Sequence, residues 1–148
     1  MIEKMDRLRE LRGLRRSIAE KDAERAKLAR TEFERRVSAA EDAHARATSD
    51  AATRRRSALD ALSREPATPL NVARMANVHG MIDHELDELQ GEVDGSREGL
   101  EEAERDLEEK RDVLAQFLRK EEAADGAVER WRDDHRHLRD AEEEDPDG

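Results

Sequence analysis

Cysteine is absent from the chain, which excludes disulfide staples and thiolate chemistry. Aromatic residues are nearly absent too: Phe33, Phe117 and Trp131 are the only three, and there is no tyrosine. Only 35% of the residues are hydrophobic and many of those are alanine, too little for a round core with helices on several sides. No run comes near the roughly 18 apolar residues of a membrane span, so direct membrane insertion is not expected. The start, MIEKMDRLRELRGL, has no apolar signal-peptide core, and a protein without a classical secretion signal is expected. The familiar catalytic motifs are also missing: there is no glycine-rich phosphate loop, no G-K-[ST] and no H-E-x-x-H. His79 and His84 fit no helical ligand pair, and His135 and His137 point to different helix faces. Carboxylates are abundant, but a thin assembly offers no concave pocket to gather them. No enzyme, metal or cofactor is expected.

Charge is what the chain has in quantity: 45% of its residues are charged, with a net charge of -11. The two halves differ in sign. Residues 1–62 hold 16 Lys/Arg against 12 Asp/Glu, a balance of +4, whereas residues 72–148 hold 11 against 26, a balance of -15. Opposite signs favour the halves lying together, and the acidic half argues against a nucleic-acid partner. The Arg54-Arg55-Arg56 triplet reads as a solvated helix turn, with Arg55 as a candidate contact near the bend.

Apolar periodicity supplies the fold. In the first half Met5, Leu8, Leu11, Leu14, Ile18, Ala26, Phe33 and Val37 begin a stripe that continues to Leu62 at about 3.6 residues per step, the period of a nearly straight helix. In the second half one heptad position reads Val72, His79, Leu86, Val93, Leu100, Leu107, Leu114, Glu121, Val128, His135. The other reads Met75, Ile82, Leu89, Ser96, Ala103, Lys110, Phe117, Ala124, Trp131, Leu138. A 3.5 repeat held this long predicts a left-handed coiled coil.

Between the runs lies LSREPATPLNVARM, residues 62–75, with two of the three prolines. Pro66 turns its predecessor away from helix, while Thr68 can cap a new helix with Pro69 at its first position. The reading is an all-α fold, a long two-helix antiparallel coiled-coil hairpin. Helix 1 spans about 2–63, the tip 64–68 and helix 2 about 69–141, and 142–148 form an acidic disordered tail. At 1.5 Å per residue the rod would be about 90–100 Å long.

Folding about the tip pairs positions whose numbers add to roughly 134. Small residues then oppose large ones, as Ala51 opposes Ile82, and Phe33 meets Leu100. Asp22 falls opposite Lys110, a polar pair expected to pin the register. Gly91, Gly95 and Gly99 recur every four residues, as a tolerated soft spot or as a place where another backbone comes close.

A two-helix rod closes one seam, so its ends and outer stripes are the candidate contact surfaces. At the end holding both termini the candidates are Ile2, Met5, Arg9, Arg12 and Trp131; at the tip they are Arg55, Leu70 and Val78. Trp131 has two readings, core residue or docking hot spot. The off-seam apolar residues, including Leu28, Leu59, Met81, Val113 and Leu118, either widen the core or form docking edges.

In its size, its start MIEKMDRLRELRGLRR, its Ala/Arg-rich first helix, its central bend and its ending RKEEAADGAVERWRDDHRHLRDAEEEDPDG, the chain resembles the coiled-coil stalk proteins of bacterial type III secretion, injectisome and flagellar alike. The resemblance implies a cytoplasmic hairpin beside the inner-membrane export apparatus. It would couple the secretion ATPase ring, at the termini end, to an export gate component facing the tip, and would handle export chaperones. The alternative is a generic coiled-coil scaffold or chaperone-like adaptor that self-associates. A monomer fits the stalk; a homodimer, with hairpins joined in a four-helix bundle, fits the scaffold.

Overall fold

The computed structural model describes residues 2–144, with the side chain of Ile2 left out of the description. Two α-helices account for nearly all of it: α1, Ile2–Arg64, and α2, Pro69–Glu144. They form an antiparallel hairpin and pack extensively against each other. α1 meets no proline over its length, and its alanine, arginine and glutamate are strong helix formers. It runs one residue past the expected end and stops before Pro66, where the residue preceding a proline is steered out of helical geometry.

The connection is held by its own backbone and by Thr68. The Thr68 N–H donates to the Pro66 carbonyl at 2.8 Å, and the Val72 N–H donates to the Thr68 carbonyl at 3.0 Å, opening α2. The Thr68 hydroxyl oxygen accepts from the Asn71 N–H at 3.3 Å, which satisfies one of the orphan donors of the first turn. Asn71 in turn donates its side-chain amide to the Pro66 carbonyl at 2.9 Å. Pro69 sits at the first helical position, where its missing N–H costs nothing.

At its other end α2 continues to Glu144, three residues beyond the expected boundary. Ala141, Glu142, Glu143 and Glu144 are good helix formers, so the expected tail does not begin at 142. Residues 145–148 of that tail lie outside the described residues.

The chain divides into two compact units. One comprises the described residues of Met1–Ala26 and Leu107–Gly148, the other Lys27–Asp106. In the first the buried side chains are Ala19, Ala26 and Leu107. In the second they are Ala51, Ile82, Val93 and Ala103, and Ile82 is the most deeply buried. Burial of a side chain of that size contributes about 1.5–3 kcal/mol. The buried side chains of α1 are thus all alanine, while those of α2 are mostly branched.

The heptad of α2 is realised in its burial. From Met75 to Val128 every member of both expected positions is buried or half-buried, including Ser96, Lys110 and Glu121. Val72, Trp131, His135 and Leu138 at the two ends are exposed. α2 is longer than α1, so its last turns have no α1 residue to face.

The 3.6-residue stripe expected for α1 needs correcting. Leu8, Leu11, Leu14 and Ile18 are 52%, 49%, 61% and 53% exposed. The inward residues follow a seven-residue repeat instead. One position reads Ala19, Ala26, Phe33, Ala40, Ala47 and the other Arg16, Ala23, Arg30, Val37, His44, Ala51, all buried or half-buried. A seam shared with a heptad helix must itself recur every 3.5 residues, and a 3.6 stripe drifts about 20° per heptad away from it. With the seam fixed through Phe33 and Val37, the N-terminal leucines are carried out to the surface.

Candidate functional site

Among the described residues no group of three or more His, Asp or Glu side chains is placed to hold a metal ion, and no helix is long and apolar enough to cross a membrane.

In the first unit the seam positions of α1 carry arginines. Arg16 donates through Nη1 to both carboxylate oxygens of Glu121, at 3.1 and 3.0 Å. Arg9 reaches Asp125 at 3.7 Å. In the second unit Arg30 reaches Glu104 at 3.9 Å, Glu41 accepts from Arg97 at 2.9 Å, and Arg54 pairs with Glu85 at 2.9 Å. Such exposed pairs contribute little each, at most about 1 kcal/mol, but all of these except Glu41–Arg97 set an α1 cation on an α2 acid, in keeping with the opposite charges of the two halves.

These contacts alter the expected register pair. Asp22 and Lys110 line the same groove, but Asp22 makes no ion pair or hydrogen bond among the described residues. The shorter cross-helix link in this unit is Arg16 with Glu121, a half-buried residue at a heptad position. Arg55 at the tip side is likewise engaged, with Asp83, and is not a free contact. Val78 is half-buried and lines a groove of about 170 Å³ with Ala58, Leu62 and Met75, whereas Leu70 is exposed.

At the termini end the candidates do converge. Met5, Arg9, Arg12 and Trp131 line one groove of about 330 Å³ with Leu8, Ala124 and Val128. Trp131 is 36% exposed and stacks on His135 with ring centroids 4.0 Å apart, so it is a groove wall and not a core residue. The side chain of Ile2 lies outside the described residues. A second groove of about 270 Å³ is walled by Ile18 from α1 and by Val113 and Phe117 from α2.

Comparison with family models, characterised proteins and solved structures finds no match to this chain. Function must be read from the surface itself.

That surface has a feature the sequence reading missed. Lys4, Arg7, Leu11, Leu14, Ile18, Lys21 and Arg25 follow one another at alternating spacings of three and four, and so share one face of α1. All seven are exposed, and none is acidic. The signal was present: an unbroken run of cations and aliphatics at helical spacing. It was masked because the same leucines also fit an inward stripe.

Proposed function

We propose that this protein is a coiled-coil adaptor or scaffold that acts by taking a further helix onto its open face, not by catalysis. The observation carrying this is the outward row Leu8, Leu11, Leu14 and Ile18, apolar surface that the α1–α2 seam leaves uncovered. Leu8 and Ile18 also wall the two grooves of the same unit, so the face offers both a ridge and recesses into which helix side chains fit. In the adaptor form the added helix comes from another protein; in the scaffold form a second hairpin supplies it, giving a four-helix bundle. Chemical cross-linking in the producing cells, followed by mass spectrometry, tests the reading. Species cross-linked to the native chain and lost from a Leu11→Glu/Ile18→Glu variant are the expected result. Identical cross-linked species for both chains would contradict it. Sedimentation equilibrium then separates the two forms, since only the scaffold exceeds the 16.9 kDa monomer mass.

The export-stalk role is a narrower form of the same reading, favoured by the convergence of Met5, Arg9, Arg12 and Trp131 at the termini end. Its partners are a secretion ATPase there, an export gate component toward the tip, and export chaperones, in the cytoplasm beside the inner membrane. Stimulation of a secretion ATPase by the full chain, lost on deleting residues 1–12, is its expected signature. An ATPase indifferent to the full chain contradicts it.

A further inference from the structure

Resting on the helix-docking reading above, we propose that the occupant of the open α1 face is an acidic amphipathic helix of a different protein, with an apolar ridge flanked by Asp and Glu.

Charge complementarity is the argument. The aliphatic centre of the face, Leu11, Leu14 and Ile18, is bounded by Lys4 and Arg7 on one side along the helix and by Lys21 and Arg25 on the other, with Arg15 beside it. None of these five cations has a carboxylate partner among the described residues. The cations turned toward α2 differ, since Arg9 and Arg16 are both paired across the seam. Cations outnumber acids around the exposed leucines, where Asp22 beside Ile18 is an acid of the chain's own, and that excess favours acids from a partner.

Neither of the other occupants fits as well. A second copy meeting this face with its own would set lysine and arginine against lysine and arginine. A second copy offering the acidic stretch of α2 at residues 98–112 would bring no apolar ridge, because Leu100, Ala103 and Leu107 there are turned into the seam. A bilayer surface, being flat, reaches the convex leucines but not the grooves that Leu8 and Ile18 form with Trp131, Val113 and Phe117. A helix reaches both, by laying a ridge along the groove edge. The cations then sit at the rim of the interface, where they steer association and exclude basic helices.

The test uses the full chain and two synthetic amphipathic helices of about three heptads. Both carry leucine at the two ridge positions; one has Glu and the other Lys at the flanking positions. Fluorescence anisotropy of the labelled peptides is expected to show saturable binding of the Glu peptide only, weakening as salt is raised. Binding is expected to fall about tenfold or more in an Arg7→Gln/Lys21→Gln/Arg25→Gln variant and to be lost in Leu11→Glu/Ile18→Glu. Circular dichroism of both variants verifies that the hairpin is intact. Equal binding of the two peptides would overturn the acidic partner while leaving helix docking in place; binding of neither would overturn both. Two further outcomes would also overturn the inference. One is binding to phosphatidylserine vesicles that Leu11→Glu/Ile18→Glu abolishes while both peptides fail to bind. The other is a homodimer dissolved by Ile18→Glu that blocks the peptide site.

Discussion

Phe33 of α1 lies directly over Gly99 of α2: a β-carbon built at Gly99 would sit 2.5 Å from Phe33 Cε1 and 2.8 Å from Cδ1. The ring is flanked by Arg36, whose guanidinium carbon is 5.1 Å from its centroid. Gly99 is therefore a notch for the one aromatic ring of the α1 seam. The other two glycines of the trio, Gly91 and Gly95, meet nothing within 4 Å. The trio thus has two physical roles, close approach at Gly99 and open helix surface at Gly91 and Gly95.

The three glycines should respond differently to alanine. Gly91→Ala and Gly95→Ala should each stabilise the hairpin by about 1 kcal/mol, the difference in helix propensity. Gly99→Ala should lose that gain and destabilise, because the ring must leave its place. Urea unfolding of the three variants checks this; equal stabilisation by all three would show that Phe33 does not need the notch.

The Arg16–Glu121 pair should carry measurable register information. A double-mutant cycle with Arg16→Ala and Glu121→Ala should give a coupling of about 0.5–1 kcal/mol, within the range for partly exposed pairs. Asp22→Asn in the same unit should change stability by less than about 0.5 kcal/mol, since Asp22 has no partner among the described residues. A larger effect at Asp22 than at Arg16 would restore the Asp22–Lys110 pairing expected from the sequence.

Two isoleucines separate seam from surface. Ile82 is 1% exposed, and Ile82→Ala should cost about 2–5 kcal/mol. Ile18→Ala should cost less than about 1 kcal/mol, because that side chain is already more than half in water. Thermal or urea unfolding followed by circular dichroism gives both values, and similar losses would contradict the outward placement of Ile18.

Most of the fold was legible in the sequence because α2 writes its packing in large residues. Leu86, Val93, Leu100 and Leu107 recur every seven residues, with Ile82 at the other heptad position, and Thr68–Pro69 marks the new helix by hydrogen-bond chemistry. α1 was ambiguous for the converse reason. Its seam is mostly alanine and arginine, with Phe33, Val37 and His44 the exceptions, while its largest N-terminal side chains face out. Hydrophobicity alone picks Leu11, Leu14 and Ile18; only the requirement to match α2's heptad picks Arg16, Ala19 and Ala23. The same requirement would have exposed Arg16–Glu121, since Glu121 interrupts the α2 heptad and calls for a cation opposite. At the termini end the convergence of Met5, Arg9, Arg12 and Trp131 followed from the antiparallel register. At the tip, the ion pair of Arg55 with Asp83 and the half-burial of Val78 were not legible, because both depend on which α2 residues face α1 there.

The outward face of α1 underlies both the function and the partner proposed for this protein, and the absence of native cysteine makes it directly measurable. Single cysteines placed at Leu11, Ile18, Ala19 and Ala26 can be followed by their rates of maleimide labelling in the folded chain. Leu11→Cys and Ile18→Cys should label near the rate of the urea-unfolded protein, and Ala19→Cys and Ala26→Cys many times more slowly. Fast labelling at Ala19 and Ala26 with protection at Leu11 and Ile18 would contradict the account, turning the leucines back into the seam and removing the docking face.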